Sequence, residues 1–357
     1  MIMLRTMKYI VILNIIISIN FINAQSDEED FASLNYSGTI FNRGSSAAAF
    51  LEIGVGSRAM GLGGAYTSIA SDATCMYWNP AGIGWINELE ILAHHSNWLA
   101  NTNFQYFGLI SPMNETTSIG LSITLLDYIE KQPVRTILQP EGTGEVYGAS
   151  DLAIGFTYSR VMTNRFAFGI SGKYIRQKIW NEVAATYAMD VGIHYKTYIQ
   201  GLSLGSSISN FGNELKLEGR DLIRAYDEDQ LNYSNDKLNV QHSTDSFPLP
   251  LIIRSGLSYK RNIFYSSSLL MMVDLIHPSN DVESMNVGLE FNTLNIFSIR
   301  LGYQSIFNQS SQSGLTSGFG VELNKNGNLP LSIHYSYANW GILHDVHTFT
   351  IDWSFVN

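Results

Sequence analysis

From residue 88 to the end of the chain, apolar and polar positions alternate with a period of two, in runs long enough to cross a bilayer as strands. The last run is the cleanest. His347, Phe349, Ile351, Trp353 and Phe355 fall on one face, and Thr348, Thr350, Asp352 and Ser354 on the other. The same division recurs in Tyr187, Met189, Val191 and Ile193 against Ala188, Asp190, Gly192 and His194, and in Phe297, Ile299, Leu301 and Tyr303 against Ser298, Arg300, Gly302 and Gln304. One face suits lipid and the other suits water. Applied along the chain, the pattern predicts strands near 88–98, 103–111, 117–127, 151–161, 165–176, 185–196 and 201–210. A second set follows near 248–260, 264–275, 283–292, 296–304, 316–324, 330–338 and 346–356.

The expected fold is therefore an all-β, antiparallel transmembrane barrel of about fourteen strands, an even count that puts both ends on one side of the membrane. The connections agree. Short turns at 112–116, 162–164, 197–200, 261–263, 293–295 and 325–329 alternate with mostly longer loops, including 128–150, 211–247, 276–282 and 305–315. The loop 211–247 reads as polar and charged, with few apolar anchors, which points to contact with protein outside the barrel.

Residues 44–86 break the alternation, with glycines and small side chains throughout and no strand period. They predict compact turns and a short helix capped by Asp72 and ended at Asn79-Pro80, folded inside the lumen as a plug. Ahead of them, Arg5 and Lys8 precede an apolar run to Ile22 and the segment Asn23-Ala24-Gln25, the layout of a secretory signal peptide cut after Ala24. The expected organisation is a signal peptide at 1–24, an N-terminal segment and lumen hatch at 25–86, and an outer-membrane barrel at 87–357.

Composition supports a membrane barrel over a soluble domain. Charged residues make up only 15% of the chain, against a usual quarter or so, while aromatics reach 12% with 19 Tyr and 18 Phe. No segment after the leader offers a continuous apolar helix, and in lipid the remaining way to satisfy the backbone is a closed barrel. A formal charge of −10 makes nucleic acid an unsuitable partner. Membrane lipid is the expected surroundings. Asp190, Arg254, Glu290, Arg300, Glu322 and Asp352 each sit opposite the apolar set of their own strand and are expected to point into the lumen. Arg58 is expected to pair there with an acid such as Glu290 or Glu322 and hold the plug shut.

No pattern carries enzyme chemistry. Gly54-x-Gly56-x-x-Ala59 has dinucleotide-binding spacing but lacks the strand, helix and parallel strand that the chemistry needs. Ser336, His344 and Asp345 share residue types with a hydrolytic triad and nothing else. His344 and His347 flank the start of the last strand, where an interfacial role is simpler than a metal site. Cys75, the single cysteine, reads as a small buried side chain. Trp98, Trp180, Trp340 and Trp353 lie near strand ends, as in an aromatic girdle. Neither catalysis, a cofactor nor a metal is expected.

Two runs carry a resemblance: Gly54-Val55-Gly56-Ser57-Arg58-Ala59-Met60-Gly61-Leu62-Gly63-Gly64-Ala65 and Tyr77-Trp78-Asn79-Pro80-Ala81-Gly82. Together they resemble the N-terminal signature of the PorV/PorQ family, outer-membrane proteins related to the FadL fatty-acid transporters. The resemblance implies a fourteen-stranded barrel with a hatch in the lumen. It maps Asn79, Pro80 and Ala81 onto the gate, and Arg58, Gly61, Gly63, Gly64, Trp78 and Gly82 are the further hatch and gate candidates. It also implies a type IX secretion-associated component that binds secreted cargo proteins. The alternative it implies is a FadL-like passive route for long-chain fatty acids or another hydrophobic ligand.

Overall fold

The computed structural model describes residues 44–69, 71–128, 132–226, 238–264, 266–294, 296–308, 311–323 and 330–355. The expected signal peptide at 1–24 and residues 25–43 of the expected N-terminal segment lie outside the described residues.

Fourteen long strands form one closed antiparallel meander. They are β1 (Leu89–Trp98), β2 (Thr102–Asn114), β3 (Thr117–Asp127), β4 (Ala149–Thr163), β5 (Phe166–Ile179), β6 (Glu182–Lys196) and β7 (Leu202–Gly212). The second half comprises β8 (Ile252–Phe264), β9 (Ser267–Pro278), β10 (Ser284–Thr293), β11 (Phe297–Ile306), β12 (Leu315–Leu323), β13 (Leu331–Asn339) and β14 (Asp345–Phe355). Each pairs with its neighbour in sequence. The seam closes where β14 pairs with β1, from Leu89 opposite Phe355 to Asn97 opposite His347. No backbone edge is left for lipid to desolvate.

Alternation sorts the side chains as an inverted protein. On β11, Arg300 is 1% exposed, while its neighbours Ile299 and Leu301 are 58% and 51% exposed. Leu289, Phe319, Ile333 and Phe349 continue the exposed apolar surface around the wall. Ser298, Thr316, Ser336, Thr348 and Thr350 are buried on the other side. A soluble sandwich would hide the first set and wet the second. An apolar belt of this kind is stable only in lipid.

β4, β5 and β6 run 15, 14 and 15 residues, longer than their periodicity suggests. β5 and β6 continue to a tight turn at Trp180, whose φ of 52° is left-handed. The alternation ends with the lipid belt, but the ladder of hydrogen bonds continues beyond it. The sequence pattern reports the first of these and not the second.

Residues 44–86 fill the lumen. They form a 3-10 helix (Ala49–Glu52), helix α1 (Ser57–Gly61), helix α2 (Cys75–Trp78) and a second 3-10 helix (Pro80–Trp85), where a single short helix was expected. Asp72 does not cap α2. Its carboxylate accepts from Thr74 N at 3.0 Å, and Thr74 itself occupies the cap position. Asn79 caps the following helix, its Oδ1 accepting from Ala81 N at 3.1 Å with Pro80 in the first position.

Candidate functional site: the plug and the vestibule above it

The plug is anchored around the whole circuit of the wall. Ser57 N donates to Thr350 Oγ1 of β14 at 2.8 Å. Ala73 N donates to Glu90 of β1 at 2.7 Å. Tyr66 N and Thr67 N both donate to Asp274 of β9 at 2.9 Å. His194 of β6 and Ser258 of β8 share the carbonyl of Ser68. Asp274 was missed in the sequence because Leu269–Ile276 is otherwise almost wholly apolar. A lone acid in such a run was the available signal.

Glycines in the wall let the plug backbone approach. A Cβ at Gly205 would collide with the Thr67 carbonyl, and one at Gly302 with Gly63 N. Within the plug, Gly63 (φ +68°) turns the chain where a Cβ would lie 2.8 Å from Tyr303 N. Gly64 follows at φ +70°. Gly61 presses on Gly318, and Gly82 on the Cys75 sulfur. Cys75 is fully buried, and burial pushes its thiol up to about 12.

Charges pair across the plug–wall boundary. Arg58 Nε and Nη2 donate to Glu290 Oε2 and Oε1 at 2.8 and 2.7 Å. Arg300 Nε donates to the same carboxylate at 2.7 Å, so one acid serves two guanidiniums. Arg300 also reaches Ser298 and His334, and His334 Nε2 lies 3.3 Å from Asp352. Asp190 is ion-paired to Lys173 at 2.7 Å and accepts from Asn210 N at 2.8 Å, bridging a register shift between β6 and β7. Glu322 is half-buried and follows Gly318 and Gly320 along the inner face of β12. Arg254 is buried on β8 and lines the vestibule.

The Asn-Pro-Ala turn is locked rather than exposed. Asn79 Nδ2 donates to Thr67 O at 2.8 Å and to Ile193 O at 2.9 Å, and Ser159 Oγ donates to Ala81 O at 3.1 Å. Pro80 and Ala81 lie against Gly169 of β5. Trp78 Nε1 donates to Val55 O at 2.9 Å, tying α2 back to the chain before α1.

Above the plug, at the end carrying the long loops, lies a cavity of about 810 Å³. Phe50, Ile53, Met60 and Trp78 form its floor, and Leu126, Ile252 and Ile276 are among its walls. Trp98 and Trp340 meet edge to face over it, with ring centroids 5.2 Å apart. These two tryptophans line the vestibule and are not part of a lipid-facing girdle. They are far apart in sequence and become neighbours only because the seam joins β14 to β1. Of the hatch and gate candidates, Gly64 and Trp78 reach this cavity, and Asn79–Gly82 do not. Ser336 pairs with Thr348 on the inner wall, Asp345 holds Tyr337 and Asn339, and His344 is exposed on a loop, so the three do not form a triad.

No protein-family model and no curated protein sequence matches the chain. Solved structures do. The Pseudomonas putida toluene transporter TodX aligns at 11% identity over 85% of this chain and 99% of its own, with a TM-score of 0.54. The Ralstonia pickettii toluene transporter TbuX aligns at 12% identity over 85% and 98%, with a TM-score of 0.50. A Pseudomonas aeruginosa FadL homologue aligns at 11% over 84% and 98%, also at 0.50. The fold is that of the FadL-like outer-membrane barrels. Identity this low speaks for the fold alone.

Proposed function

We propose that this barrel is a passive outer-membrane channel for hydrophobic small molecules. The observation that carries the reading is the vestibule, a largely apolar cavity within the usual range for ligand sites of about 300–1,000 Å³ and opening among the long loops. A ligand would leave the outer surface for this cavity and pass inward when the plug shifts. The neighbouring structures named as toluene transporters support the same reading.

The test uses cells whose lipopolysaccharide leaflet excludes N-phenyl-1-naphthylamine. Expression of the barrel should speed uptake of this apolar dye. Ser284→Trp, which fills the vestibule from the first residue of β10, should cancel the gain. Uptake at the empty-vector rate with folded barrel present would reject the channel.

A second reading, a secretion component of the PorV/PorQ type that binds exported proteins, draws on the loop between β7 and β8. Residues 227–237 of that loop lie outside the described residues. The flanking parts pair Ile223–Tyr226 with Leu238–Gln241, and Ile223, Tyr226, Leu238 and Phe247 are exposed. The loop thus carries more apolar anchors than its composition suggests. Deleting 215–240 should then abolish cargo binding and leave the barrel heat-stable. Unchanged cargo capture would count against this reading.

A further inference from the structure

Strand register sorts the outer wall around the seam into rows of side chains that share the lipid-facing side. Ile333, Ile351, Ala93, Phe107 and Ile123 stand side by side across β13, β14, β1, β2 and β3. Two residues nearer the long-loop end, the row is Tyr335, Phe349, His95, Gln105 and Leu125. Two residues further, it is Tyr337, His347, Asn97, Asn103 and Asp127. The wall thus passes from apolar through mixed to polar, whereas on β9 it stays apolar through Leu269, Met271, Val273 and Leu275. Where the small Ala93 stands between Ile351 and Phe107, the surface is dented. A groove of about 480 Å³ opens there, lined by the first two rows from β14 to β3. Above it, His95 Nε2 lies 3.2 Å from Asn97 Oδ1 and Tyr335 OH 2.7 Å from His347 Nδ1. The rings of Tyr335 and His347 stack with centroids 6.0 Å apart. The exposed side-chain amides of Asn103 and Gln105 form no hydrogen bond with another described residue.

An amide turned toward the lipid is costly unless a partner supplies its hydrogen bonds. The partner's chemistry is set by what surrounds the amides. β13, β14, β1, β2 and β3 contain no lysine or arginine, so this wall carries no cation to grip a phosphate, and Asp127 at the end of the polar row repels one. It presents amides, imidazoles and phenols instead, groups that both donate and accept, on rings that favour the headgroup level. The groove beneath them is apolar but for His95 and Gln105 at its upper edge. We propose that this face of the wall binds an outer-leaflet glycolipid. Its sugar hydroxyls and amide linkages bond to His95, Asn97, Asn103 and Gln105, and an acyl chain lies in the groove over Ala93. The head spans the strands on both sides of the β14–β1 seam. The site lies on the outside of the barrel, apart from the vestibule, and stands independently of the channel reading.

The experiment is native mass spectrometry of the full barrel released from polyoxyethylene detergent micelles. Two lipids are offered at equal concentration, an acylated glucosamine disaccharide without phosphates and phosphatidylglycerol. The unmodified barrel should retain the disaccharide lipid about tenfold more than phosphatidylglycerol, the scale of a few added hydrogen bonds. His95→Leu combined with Gln105→Leu, changes that suit a lipid-facing wall, should level the two lipids. Ala93→Phe, which fills the groove and leaves the polar row in place, should lower retention of the disaccharide lipid. Heat-modifiable gel migration confirms that each variant is folded. Equal retention of the two lipids by the unmodified barrel reduces the patch to ordinary lipid contact and overturns the proposal, as does retention of neither. A preference that survives in the double variant also overturns it. A two-barrel species that the double variant loses overturns it in favour of a second copy of this chain on the same face. The unmodified protein decides the first two outcomes without any variant, and none of them depends on the vestibule.

Discussion

At the scale of single residues, the plug is held by few but well-connected side chains. Arg58 is the plug's ion-pair contact with the β10–β11 wall, and its partner Glu290 is shared with Arg300. Removing Arg58 leaves Glu290 still neutralised, and the Arg58 side chain is 21% exposed. The cost should therefore fall below the roughly 3–5 kcal/mol of a fully buried broken pair, at about 1–3 kcal/mol. That suffices to loosen the plug without unfolding the barrel. Cys75 provides the readout. Its thiol is buried with a pKa of about 12, so it should resist maleimide in the intact protein and react after heat denaturation. Arg58→Ala should raise both the labelling of Cys75 in the folded barrel and the conductance in planar bilayers. If neither changes, Arg58 is not a latch.

At the scale of elements, the wall and the plug were legible to different degrees. The strands were plain because period two in a lipid-facing wall is imposed at nearly every residue. Their inner faces could be read at Glu290 and Arg300, where a charge falls on the polar side of the alternation. The plug lacked such a rule. Its short helices have too few turns to display a period, and their ends are set by contacts with the wall that no local pattern encodes. The glycines of the wall were visible as residues, but their role was not. Gly205 is required because Thr67 passes over it, a relation between positions far apart in sequence. Gly205→Val should accordingly displace the plug from β7, raising Cys75 labelling while the barrel remains heat-modifiable. Labelling unchanged from the parent protein would show that the wall yields instead.

At the scale of the whole molecule, the vestibule exists only because the sheet is closed. Trp98 ends β1 and Trp340 follows β13, and their contact depends on the pairing of β14 with β1. The site could not be found by scanning for a motif, since the residues that make it come from the plug and from the ends of several strands. The lipid belt, by contrast, follows from composition and alternation alone. What the molecule exposes was therefore readable one strand at a time, and what it encloses was not.

The same enclosure constrains biogenesis. The plug precedes β1 in the chain and is bonded to both sides of the seam, through Glu90 of β1 and Thr350 of β14. A segment gripped on every side enters only while the cylinder is still open, so the final zippering of the last strand onto the first has to wrap around a segment already in place. Closure of the sheet and packing of the lumen are then a single event, with the plug as the template on which the curved sheet is completed.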